Sequence, residues 1–222
     1  MDLGETRDRI IVAALAHVPF DGWTRRALAA GAADAGLAPE WTRRAFPGGV
    51  IEAVEHFAEY TDRRMLAALE GRDLGALRVG ERIAAAVRTR LELNAPHREA
   101  IRRLLSYLAL PHNAGLAMRA TYRTVDAIWR AAGDEATDFN FYTKRGLLAA
   151  VYGTTVLYWL ADGSEDQADT WAFLERRLAD VMAVPRLQAR LKEKLGSLPS
   201  PLAPRRRRGR GGRRAPSAPR PT

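Results

Sequence analysis

The chain has 222 residues, 47% of them hydrophobic, with 35 basic residues against 26 acidic ones and a formal net charge of +9. That length and apolar content suit one domain, or one domain with tails. With no cysteine there are no disulfides and no thiolate metal sites, and the composition fits a reducing compartment.

The charge is uneven. From Gly196 onward there are eight arginines and no acid, which leaves residues 1–195 at +1. Residues 186–195 hold Arg186, Arg190, Lys192 and Lys194 against Glu193, so residues 1–185 carry −2. The basic character belongs to the C-terminus and not to the globular body. The start, MDLGETRDR, has no apolar h-region, so no secretory signal is expected. No run approaches about 18 apolar residues free of charge, so no membrane span is expected either.

Helices are predicted throughout, because no hairpin signal or sustained period-2 alternation is present. The first covers 5–17, with Ile10, Ile11, Ala14 and Leu15 on one face. VPFDGW reads as a tight connection to a second helix over 24–35, capped by Thr24 and ended by Gly36. Pro39 suits the first turn of a third helix reaching Phe46, and Pro47-Gly48-Gly49 breaks it. This is a helix-turn-helix layout, in which Arg25, Arg26, Arg43 and Arg44 are placed to meet phosphates. Against DNA binding stand the lack of basic charge in the body and Glu40 at the start of the reading helix.

Longer helices follow at 50–69, 80–93, 97–110 and 113–132, each with an apolar stripe; Pro111 and Gly133 close the last two. The chain is organised around the next, TDFNFYTKRGLLAAVYGTTVLYWL at 137–160. Its second half is apolar nearly all round, so it is buried or holds an apolar ligand. Its first turn puts Phe139, Phe141 and Tyr142 beside Lys144 and Arg145, a set that suits core packing or a partner-facing patch equally. Ser164 to Gln167 has capping-box spacing and opens a helix to Met182. Pro185 starts a last short helix with Leu187, Leu191 and Leu195 on one stripe and Lys192 and Lys194 beside it. Such a stripe needs the domain, a second subunit or an anionic membrane surface to receive it. The Pro-, Gly- and Arg-rich remainder cannot bury apolar area and is expected to be disordered.

No catalytic constellation stands out. Glu52 and His56 at i, i+4 form a weak metal spacing that reads as a solvated helix face. No metal, no cofactor and no catalytic residue is expected.

The combination of HVPFDGW (17–23), RRAFPGG (43–49), AGDEATDFNFYTKR (132–145), YGTTVLYWL (152–160) and DTWAFLERRLADVM (169–182) resembles the Coq-nine family of ubiquinone biosynthesis, in a bacterial form. The resemblance covers roughly residues 5–183 and is most specific at 132–145 and 169–182. It implies an all-α, TetR-like helical bundle with an N-terminal helix-turn-helix unit that does not read DNA and a larger ligand-pocket domain. It also implies a hydrophobic pocket for an isoprenoid quinone intermediate or other lipid, and a surface patch for the di-iron hydroxylase that acts on demethoxyubiquinone. That patch carries over to Ile128, Asp138, Phe141, Tyr142 and Arg145. The family often has Trp where this chain has Phe141, a smaller ring without the indole N–H.

The expected organisation is therefore a three-helix unit at 1–49, a lipid-binding domain at 50–183, an amphipathic helix at 184–195 and a basic tail at 196–222. Leu105, Leu108, Met118, Trp129, Leu148, Val151 and Trp159 are expected to face inward, several of them lining a cavity. Leu187, Leu191, Leu195, Lys192 and Lys194 are the expected membrane contacts. The reading is a non-enzymatic lipid-binding accessory protein, a homodimer in the cytoplasm, peripheral on the inner face of the membrane. Its rival is a TetR-type transcriptional regulator with a hydrophobic ligand pocket.

Overall fold

The structure is a computed structural model that describes residues 2–133 and 139–196, with side chains for 2–133 and 142–183. Every regular element among them is helical: α1 (Leu3–Ala14), α2 (Val18–Asp21), α3 (Arg25–Asp34), α4 (Glu40–Ala45), α5 (Val50–Glu70), α6 (Val79–Leu93), α7 (Arg98–Leu108), α8 (Ala114–Ala131), α9 (Phe139–Ala161) and α10 (Ala168–Gly196). Short 3-10 turns precede α7, α8 and α10. No helix among the described residues is long and apolar enough to cross a membrane.

Local chemistry explains most boundaries. Asp2 caps α1 by accepting from the Glu5 N–H at 3.2 Å, and Thr24 caps α3 by accepting from Ala27 N–H at 3.2 Å. Gly36 and Gly133 take φ of 69° and 82° just past helix ends, where a side chain would be strained. VPFD is a helical turn in its own right, because Pro19 sits in a first turn that needs no N–H from it.

The predicted capping box at Ser164 does not form. Instead Asp162 accepts from Ser164 N–H at 2.8 Å and from Thr170 N–H at 3.0 Å, and helix α10 begins at Ala168. Hydrogen bonds from Thr170 and Ser164 hold the Asp162 carboxyl well below the usual carboxylate range. The expected separate helix from Pro185 is instead part of α10.

The described residues of Met1–Val184 form one unit, and those from Pro185 onward a second. Within the first, α1 packs on α3, α5 on α6 and α8, and α8 on α9. The α1–α3 crossing is very close: a Cβ at Gly31 would lie 2.5 Å from the backbone nitrogen of Ala14. Trp23 ties this N-terminal group to the rest, packing its ring at a 47° tilt against Phe57 of α5, 5.2 Å between centroids, and donating to the Ala100 carbonyl of α7 at 3.2 Å.

Helix α7 is also fixed at the far end of α9. Arg98 donates to the carbonyls of Trp159 and Asp162, and Arg102 to that of Leu160 at 2.8 Å. These guanidinium groups satisfy carbonyls that a helix C-terminus leaves without partners.

Candidate functional site: an apolar cavity with a polar floor

Between α5, α7, α8 and α9 lies a cavity of about 540 Å³. Its apolar walls come from single helical stripes: Leu104, Leu105 and Leu108 on α7, Ala117 and Ala120 on α8, and Ala149, Gly153 and Val156 on α9. Small residues on α8 and α9 leave the room, and large ones on α7 close it. The three leucines are only partly buried, and Ala109, Thr154 and Leu157 at the rim are exposed, so the cavity opens to solvent. Its volume lies within the range of pockets that hold organic ligands, roughly 300–1,000 Å³.

The sequence-predicted lining residues divide. Leu105 and Leu108 line the cavity. Trp129, Leu148, Val151 and Trp159 are buried but outside its lining. On α9 the stripe through Leu148, Val151, Thr155 and Trp159 packs into the filled core, and the cavity takes the neighbouring stripe. Trp129 and Trp159 are held by their indole N–H groups, to the Lys144 carbonyl at 3.3 Å and to Gln167 Oε1 at 2.8 Å. Met118 is a correction: it is 73% exposed, because the α8 stripe facing the cavity is Ala117, Ala120, Thr121 and Thr124.

The predicted partner patch also divides. Tyr142 is 70% exposed. Ile128 is fully buried, and Arg145 is 4% exposed with its Nε donating to Asp126 Oδ1 at 2.8 Å, so both belong to the interior of the chain and not to its surface. Burial opposes the charge on Asp126, but hydrogen bonds from Arg130 and Arg145 outweigh it and lower the carboxyl's pKa. Asp138 and the side chain of Phe141 lie outside the described residues, as do the side chains of Leu187, Leu191, Lys192, Lys194 and Leu195.

The polar floor of the cavity was not singled out from the sequence. Arg90 of α6 reaches the cavity and is held on every side. It donates through Nε to Asp62 at 2.8 Å, through Nη2 to Thr61 at 2.7 Å, and through Nη1 to the Tyr152 hydroxyl at 2.6 Å. Thr124 donates to the same Asp62 carboxylate at 3.0 Å. The signal was present as Arg90 and Tyr152 interrupting otherwise apolar faces of α6 and α9.

His56 is a further correction. It is buried and hydrogen-bonded to Asp8 at 2.7 Å, while Glu52 pairs with Arg7 at 2.6 Å. No group of three or more His, Asp or Glu side chains placed to hold a metal occurs among the described residues. In the helix-turn-helix region, Arg25, Arg26, Arg43 and Arg44 are exposed. Arg44 lies over the Trp41 ring at 4.8 Å, Arg26 pairs with Asp21 at 3.4 Å, and Glu40 lines the same groove as Arg25 and Arg43.

Two family profiles match, COQ9 over residues 114–185 and the N-terminal domain of ubiquinone biosynthesis protein COQ9 over residues 5–33. The chain belongs to the COQ9 family. It is 39% identical over 185 residues to the human mitochondrial ubiquinone biosynthesis protein COQ9, covering 80% of this chain and 58% of that protein. It is 38% identical over 185 residues to the Bos taurus protein, with the same coverage, and 34% identical over 180 residues to that of Drosophila melanogaster, covering 79% of this chain and 55% of that protein. The chain thus spans less than two thirds of the length of these relatives. A solved TetR transcriptional regulator from Nitrosomonas europaea superposes with a TM-score of 0.63 at 24% identity, over 80% of this chain and 98% of that one. The fold of this COQ9 family member is therefore all-α and TetR-like.

Proposed function

We propose that this protein is a lipid-binding accessory factor of ubiquinone biosynthesis, which takes an isoprenoid quinone intermediate into the α5–α9 cavity and presents it to a hydroxylase without catalysing a reaction itself. The observation that carries this reading is the open apolar cavity under the half-buried leucines of α7. An apolar chain entering it would complete the burial of those leucines, at about 25 cal/mol per Å² of apolar surface removed from water. The relatives' names supply the pathway. The test is mass spectrometry of organic extracts from the purified protein. Isoprenoid quinones or other lipids at near-stoichiometric amounts are the expected result, and extracts free of lipid would overturn the reading. Tight salt-sensitive binding to duplex DNA would favour the regulator alternative, which the mixed charge around Arg43 and Glu40 does not support.

Within this proposal the hydroxylase docks on the α9 start, with Tyr142 as an exposed aromatic anchor. Tyr142→Ala should reduce co-purification with the di-iron hydroxylase by about 2 kcal/mol or more in affinity, with the melting temperature unchanged. The membrane contact is assigned to Leu187, Leu191, Lys192, Lys194 and Leu195, with the protein peripheral on the inner face. Truncation after Val184 should sharply lower binding to anionic liposomes, and Leu191→Glu should do so with the arginines retained. If only loss of the arginines matters, the contact is electrostatic and the helix is no anchor.

A further inference from the structure

The polar floor of the cavity has a consequence for what the cavity accepts. Arg90 is its one charged lining residue among those described, and its charge is matched by Asp62 at 2.8 Å. The pair is net neutral, and both carboxylate oxygens are already engaged, with Thr124 as well as Arg90. An anionic headgroup would find no uncompensated positive charge there and would lose its hydration on entry.

Tyr152 differs from its neighbours. Its oxygen accepts from Arg90 at 2.6 Å, but its own proton is donated to no acceptor among the described residues. Tyr152 is partly buried and belongs to the lining of the open cavity. Burial raises the phenol pKa, so the proton stays on the oxygen throughout the physiological range. Arg90, bonded to Asp62, Thr61 and Thr124 besides, fixes the oxygen's position, so the O–H rotates about a fixed point on the cavity wall.

We propose that Tyr152, positioned by Arg90, donates a hydrogen bond to an uncharged oxygen acceptor on the ligand, so that the cavity selects neutral amphipaths carrying a carbonyl or ether oxygen over both plain hydrocarbons and anionic lipids. This rests on the lipid-binding reading above and assigns the polar end of the same site.

The experiment uses the full chain, stripped of bound lipid, and three probes with the same tail: decyl-benzoquinone, decylbenzene and decyl phosphate. Affinities are measured by displacement of a neutral apolar dye from wild type and from Tyr152→Phe. The substitution should weaken decyl-benzoquinone by about 5- to 10-fold, the worth of one net hydrogen bond, and leave decylbenzene unchanged. Decyl phosphate should bind wild type more weakly than the quinone. If the quinone is unaffected by Tyr152→Phe while decylbenzene still binds, the hydrogen bond is refuted and the apolar cavity survives. If no probe binds wild type, the lipid-binding reading itself fails. If decyl phosphate binds best, the neutral-head selection is wrong. Should Tyr152→Phe fail to fold, the carbonyl stretch of the quinone bound to wild type decides: a downshift from its value in hexane supports the bond, and an unshifted band overturns it.

Discussion

The packing of α1 on α3 and the arrangement of α7 over α9 use similar residues to opposite ends. In the first, Ile10, Ile11, Ala14, Leu28 and Ala32 are each at most 1% exposed, and Gly31 lets the two backbones touch. In the second, the helices are joined through guanidinium–carbonyl bonds at one end and hold about 540 Å³ between them. Apolar content therefore does not decide whether a region is filled. What decides it is the placing of small residues: one glycine at a crossing removes space, whereas alanines and glycine facing leucines across a gap create it. The open region also holds a buried ion pair, Arg90 with Asp62 at 2.8 Å.

Two substitutions break this contrast from its two sides. The larger effect is expected from Asp62→Ala, which strands the buried Arg90 guanidinium without its counter-charge. Removing one partner of such a pair costs about 3–5 kcal/mol. Urea unfolding should show a loss of that order, and a change below about 1 kcal/mol would mean that water reaches Arg90 and solvates it. The next is Gly31→Ala. Its new Cβ meets the Ala14 backbone at 2.5 and 2.7 Å, which no side-chain rotation relieves. Overpacking of this kind costs about 1–3 kcal/mol, and an unchanged melting temperature would show that α1 and α3 slide apart freely.

The helical order was legible because caps and breakers lie in the local sequence: Thr24, Gly36, Pro39, Pro111 and Gly133 each act on their own turn. The TetR-like layout came from the family resemblance. Trp129, Leu148, Val151 and Trp159 were legible as inward-facing, since they occupy the apolar stripe with the largest side chains, but not as core outside the cavity they were expected to line. The cavity was not, because it lies along stripes of alanine, glycine and threonine that carry little hydrophobic signal. The same limit explains Met118, whose apolar side chain suggested an inward position that the turn of α8 denies it. Ile128 and Arg145 were expected at the surface on resemblance; burial and the Asp126 pairing are three-dimensional facts that spacing alone does not encode.

The smallest stability effect sharpens the comparison most. Ala120 lies on the cavity wall and is partly buried, so Ala120→Leu adds apolar volume where the protein holds none of its own. The change is of the same small-to-large kind as Gly31→Ala, and larger. If the space is open, the leucine enters it without displacing backbone, and unfolding free energy should move by less than about 1 kcal/mol in either direction. Lipid recovered from the purified variant should fall several-fold, because the added side chain and a ligand chain compete for one volume. A loss of stability as large as that of Gly31→Ala would mean that α8 and α7 already touch there. Unchanged stability with undiminished lipid would place the lipid elsewhere on the protein. Only the combination of preserved fold and lost lipid separates a cavity kept open for an occupant from a core that is merely loosely packed.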